Sequence, residues 1–94
     1  MLEKELESRL KKEIEKLGCK FYKFISPNMG GVPDRLVLIP NGKAVFVEMK
    51  RPGGILKPLQ KKRKKEIEKL GFEVWVVDTL SEITRLVESI VDVK

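Results

Sequence analysis

The chain contains no histidine. That removes Ser–His and Cys–His hydrolysis, histidine-based nuclease chemistry and every zinc site built on imidazole. Cys19 is the single cysteine, so no disulfide can form within the chain. With no signal-peptide pattern, the expected setting is a reducing, intracellular one. No apolar run approaches the roughly 18 residues of a membrane span, so no membrane partner is expected. The chemistry left to such a chain rests on carboxylates, lysines and a hard metal ion.

What the chain has in excess is positive charge. Twenty Lys and Arg stand against fourteen Asp and Glu, a net charge of +6 over 94 residues. That balance favours a polyanionic partner, nucleic acid before acidic membrane. The length suits one domain, residues 1–94, with a small core. No repeat, linker or low-complexity tail interrupts it.

Hydrophobic spacing predicts the elements. Leu2, Leu6, Leu10, Ile14 and Leu17 form one stripe on a helix over 2–17, ended by Gly18. Glu3 and Glu13 lie close to that stripe and Glu7 at its margin, so helix geometry alone leaves Glu3 and Glu13 tied as the inward-facing acid, with Glu7 behind them. A strand is expected over 19–26 and a Pro/Gly loop over 27–33. Residues 34–39 and 43–50 read as strands apolar on both faces, which predicts a central position covered on both sides. After a loop over 51–57, a helix opens near Pro58, with Leu59, Ile67 and Leu70 as its buried side. Lys61, Lys62, Lys65 and Lys69 fall on its solvated side. A strand over 72–78 and a last helix capped by Ser81 complete the order α-β-β-β-α-β-α. The fold class is therefore α/β, a small mixed sheet flanked by helices. Tyr22, Phe46 and Trp75 read as core.

The turn Pro40-Asn41-Gly42 sets the register of the central hairpin. A two-residue Asn-Gly loop would send Asp34 and Glu48 to opposite faces. A three-residue loop, with Pro40 and Asn41 in a type I turn and Gly42 left-handed, puts Asp34 across from Glu48. Proline suits the second arrangement and is a poor closing residue for the first. Lys50, two residues beyond Glu48, shares its face. Paired carboxylates with a lysine suit Mg2+ or Mn2+ and the hydrolysis of a phosphodiester.

These residues resemble the PD-(D/E)XK nuclease motif: Pro33-Asp34, then Glu48-Met49-Lys50. With "KRPGG" after them and Pro58-Leu59-Gln60 opening a helix, nearly the whole chain is similar to a stand-alone VRR-NUC, or virus-type replication-repair nuclease, domain. The resemblance implies a restriction-endonuclease-like core and a metal held by Asp34, Glu48 and the backbone carbonyl of Met49. It implies Lys50 as the catalytic lysine and Gln60 as a site residue on the helix after the hairpin. It favours Glu3 as the helix 1 glutamate, a metal and catalytic residue, over Glu7 and Glu13. DNA contacts are expected from Arg35, Arg51, Lys57, Lys61 and Lys62. The relatives it brings to mind resemble Holliday junction resolvases, which implies branched DNA as substrate and a homodimer, with no small-molecule cofactor. Two other classes fit the composition: a non-catalytic nucleic-acid-binding module with a nuclease-like fold, and a plain interaction domain with a basic surface.

Overall fold

The computed structural model describes residues 1–93. Its elements follow the expected order: α1 (Glu3–Lys16), β1 (Lys20–Lys23), β2 (Arg35–Ile39), β3 (Lys43–Met49), α2 (Pro58–Lys69), β4 (Glu73–Val77) and α3 (Leu80–Val93). The strands form one mixed sheet in the order β1-β2-β3-β4. β1 and β2, and β2 and β3, pair antiparallel, and β4 runs parallel to β3. That parallel pair requires a crossover, which α2 supplies.

The two faces of the sheet are unequal. Val37, Val45, Val47, Met49 and Val77 point to one face and meet Leu6, Leu10 and Ile14 of α1 and Ile83, Leu86 and Ile90 of α3. This is the core, built from the stripes that the apolar spacing predicts. The other face carries Phe24, Phe46 and Phe72 in edge-to-face contacts of 5.8 and 5.7 Å. On that side lies α2, packed mainly along β4.

Several expectations fail on that second face, for one reason. A single short helix cannot span four strands. Leu38 is exposed while Leu36 beside it on the same face is half-buried, so the second face of β2 is only partly covered. Tyr22 is 51% exposed and is no core residue. No residue of α2 is buried, and Leu70, beyond its end, is 77% exposed. Two helix starts differ as well. Leu2 is exposed ahead of α1, and its N–H donates to Oε1 of Glu5 at 3.2 Å. At α3 the cap is Thr79, whose Oγ1 accepts the Glu82 N–H at 3.2 Å, so Ser81 lies inside the helix.

The central hairpin has the three-residue loop and the pairing Arg35↔Val47 through Ile39↔Lys43. Its turn differs from expectation in one respect. Asn41 has φ 75° and Gly42 φ 80°, whereas a type I turn would keep Asn41 negative. Asparagine tolerates the left-handed region, so the register is kept with a different backbone path.

Candidate active site

The hairpin register brings the acids together. Arg35 pairs with Val47, so Asp34, one residue earlier, falls level with Glu48, one residue later. Opposite residues in an antiparallel ladder share a face, and this is the face toward α2. The backbone of Asp34 is anchored from the other side, because its carbonyl accepts the Phe24 N–H at 2.9 Å. Lys50, just beyond β3, is near enough for its charge to act on Glu48, while Met49 is buried in the core and can offer the site only its backbone.

Glu48 is 7% exposed, the one charged residue in the buried set among the described residues. Burial, then the Asp34 carboxylate and more weakly Glu3, push its carboxyl up to about 7 from the ordinary 4.5. Lys50 and Arg35 pull the other way without cancelling them. Asp34 is divided. Its Oδ1 is sealed from solvent and has no hydrogen-bond partner, while Oδ2 lies 3.4 Å from Nη1 of Arg35. A buried carboxylate oxygen without a donor is costly and is what a bound cation would satisfy. Two adjacent acids under these conditions fit a hard divalent ion that takes the rest of its shell from backbone, water and phosphate. Among the described residues no three acids stand close enough to hold an ion together. Glu3 is thus apart from the pair, near enough to act on Glu48 through its charge.

The three candidate glutamates of α1, Glu3, Glu7 and Glu13, have separate surroundings. Glu7 forms an ion pair with Arg35, and Glu13 lies 3.4 Å from Lys16. Glu3 lines an open cleft of about 470 Å3 with Lys50, Arg51 and Lys57. Of the expected DNA contacts, Arg51, Lys57, Lys61 and Lys62 are exposed. Arg35 is withdrawn, since Glu7 holds its guanidinium and its Nη1 donates to the Asp34 carbonyl at 2.8 Å.

Gln60 reaches the site from α2. It lines a crevice too tight for a water-sized sphere, with Pro33, Glu48 and Lys64. Its Oε1 accepts the Lys57 N–H at 2.8 Å and so caps its own helix. The group it has left to offer is its NH2. Lys64 was not singled out by sequence reasoning, though its spacing of four from Gln60 puts it on the same helix face. Its ammonium pairs with Glu68 at 2.8 Å.

Residues 1–79 match the family model described as the VRR-NUC domain. A protein of Acyrthosiphon pisum secondary endosymbiont phage 1, provisionally named nuclease p44, is 46% identical over 77 residues, covering 82% of this chain and 83% of the phage protein. A solved structure described as a VRR_NUC domain is similar with a TM-score of 0.85 and 30% identity, over 92% of this chain and 94% of that one.

The raised Glu48 carboxyl has a consequence for stability. Folded protein keeps this proton up to about pH 7, whereas an unfolded chain releases it near 4.5. Stability from this group is therefore full below about 4.5 and is lost as pH rises through about 7. Glu48→Gln removes the ionisation. In metal-free urea unfolding, the variant should gain roughly 1–3 kcal/mol relative to wild type between pH 5 and pH 8. An equal difference at both values would show that Glu48 is not held in this environment.

Proposed function

The chain belongs to the VRR-NUC domain family, and from that premise we propose that this nuclease is a divalent-metal-dependent DNA endonuclease acting on branched DNA such as Holliday junctions. One observation carries the metal reading: Asp34 Oδ1 is sealed and partnerless beside a buried Glu48 whose carboxyl is driven upward. Asp34 and Glu48 would hold Mg2+ or Mn2+, with the Met49 carbonyl as a further oxygen. When bound, the ion makes a water more acidic and offsets charge on the phosphodiester.

The remaining work falls to this chain's own side chains. Lys50 steadies the attacking water or the charge that grows on the phosphate. The NH2 of Gln60 donates toward the reacting backbone while its oxygen keeps the start of α2 in place. Glu3, which lines the same cleft as Lys50, would order water there. Arg51, Lys57, Lys61 and Lys62 offer cations to the flanking phosphates. The uncovered part of the sheet, with Tyr22, Leu38 and Phe72 exposed, supplies an apolar surface for a second copy. Two copies would bring two sites to the two strands of a symmetric branched substrate.

Cleavage of linear, flap and four-way DNAs with Mg2+ or Mn2+ tests this reading. Lys50→Ala should lower cleavage at least about 100-fold with the fold retained. Gln60→Glu keeps a good capping residue but replaces the donor by an acid. It should leave thermal stability near wild type and still cost roughly tenfold or more in rate. Unchanged cleavage would reduce Gln60 to a helix cap. Salt-sensitive DNA binding with no cleavage of any substrate would favour a binding module. Sedimentation equilibrium should give a dimer mass for wild type and a monomer mass for Leu38→Glu; a monomeric wild type would remove the two-site arrangement.

A further inference from the structure

The loop that delivers Asp34 lies directly on the first turn of α2. Gly31 has φ +80°, and a Cβ there would sit 2.6 Å from the Leu59 backbone oxygen. A Cβ on Gly30 would sit 2.9 Å from the Leu59 side chain. Only residues without side chains allow so close an approach. One turn further along the helix, Arg63 closes the contact. Its Nε donates to the Gly30 carbonyl at 2.9 Å, and its Nη1 pairs with Glu66 at 3.0 Å. The side chain is 19% exposed, so the guanidinium is held between helix and loop.

From Gly31 to Asp34 the chain is short and stiff. Val32 precedes a proline, which confines it to extended backbone. Pro33 has its φ locked by the ring and is buried. A shift at Gly30 and Gly31 therefore has little slack in which to dissipate before Asp34. The same turn of α2 carries Gln60. One contact thus sets both the Asp34 loop and the Gln60 helix relative to the sheet.

We propose that Arg63 is a positioning residue for the nuclease site: through the Gly30 carbonyl it fixes where Asp34 stands relative to Glu48 and Gln60. The proposal rests on the nuclease reading given above. It assigns to the middle of a lysine-rich run a role distinct from phosphate binding. The neighbours Lys61, Lys62 and Lys65 are exposed, and among the described residues the run's arginine alone is tied to the Asp34 loop.

Three variants test it. Arg63→Met keeps the apolar stem and removes the donor; Arg63→Lys keeps one donor; Gly31→Ala drives the loop off the helix without touching Arg63. In Arg63→Met and Gly31→Ala, kcat should fall roughly tenfold to 100-fold, the range expected for misplacing a reacting group by about 1 Å. KM and the salt dependence of DNA binding should hold. Arg63→Lys should recover much of the loss. In metal-free protein, the amide resonances of Gly31, Val32 and Asp34 should shift in Arg63→Met and return toward wild type in Arg63→Lys. An unchanged kcat in Arg63→Met would overturn the proposal. So would a raised KM with a salt slope shallower by about one, the sign of a lost phosphate contact. Should wild type cleave no DNA, the nuclease reading fails by itself. The amide spectra then decide the clamp, and unmoved resonances at Gly31, Val32 and Asp34 would end it.

Discussion

Two like charges kept side by side by a hairpin register set the terms for this molecule. Asp34 and Glu48 face each other because the loop between β2 and β3 has three residues. A loop one residue shorter would put them on opposite faces. The proximity is unfavourable in isolation, and burial makes it more so. Glu48 responds by holding its proton to about pH 7. Asp34 keeps one oxygen sealed and unpaired. The divalent cation proposed for the site, with a phosphate, would relieve that cost.

The rest of the architecture divides between supporting that pair and leaving room beside it. On one face, α1 and α3 bury the aliphatic core and contribute stability. On the other, α2 covers little more than β4, and its first turn does the positioning. Gln60 caps the helix and reaches the crevice at Glu48. Leu59 and Arg63 hold the loop that ends at Asp34. What α2 leaves uncovered stays apolar and exposed beside the site. The cation-rich cleft at Lys50, Arg51 and Lys57 opens beyond the end of β3, where Glu3 also lines it. A small chain thus separates its stabilising face from its working face.

The element order, the core stripes of α1 and α3 and the hairpin register could be read from the residues. Each rests on local patterns: apolar spacing, a Pro-Asn-Gly turn, alternation along a strand. The acids could be placed because the register follows from turn chemistry. Other features depend on long-range packing that local pattern does not encode. Apolar residues on both faces of β2 suggested two covered faces, yet coverage is decided by how far α2 extends across the sheet, and Leu38 of β2 and Tyr22 of β1 stay exposed. Helix geometry did not decide between Glu3 and Glu13, because what a helix 1 acid meets depends on elements that spacing does not encode: Glu7 pairs with Arg35 of β2, and Glu3 lines the cleft at Lys50. Arg35 is not a free cation because Glu7, distant in sequence, pairs with it. Arg63 was hidden in a basic run whose periodicity says nothing about a glycine carbonyl 33 residues away.

The most direct test of the central claim is anomalous diffraction from a crystal of this protein soaked in manganese. A single strong peak should lie between Asp34 Oδ1 and the Glu48 carboxylate, about 2.0–2.3 Å from an oxygen of each, a distance range typical of hard divalent ions on oxygen. Manganese bound only at other acids, with Asp34 and Glu48 empty at saturating metal, would contradict the account.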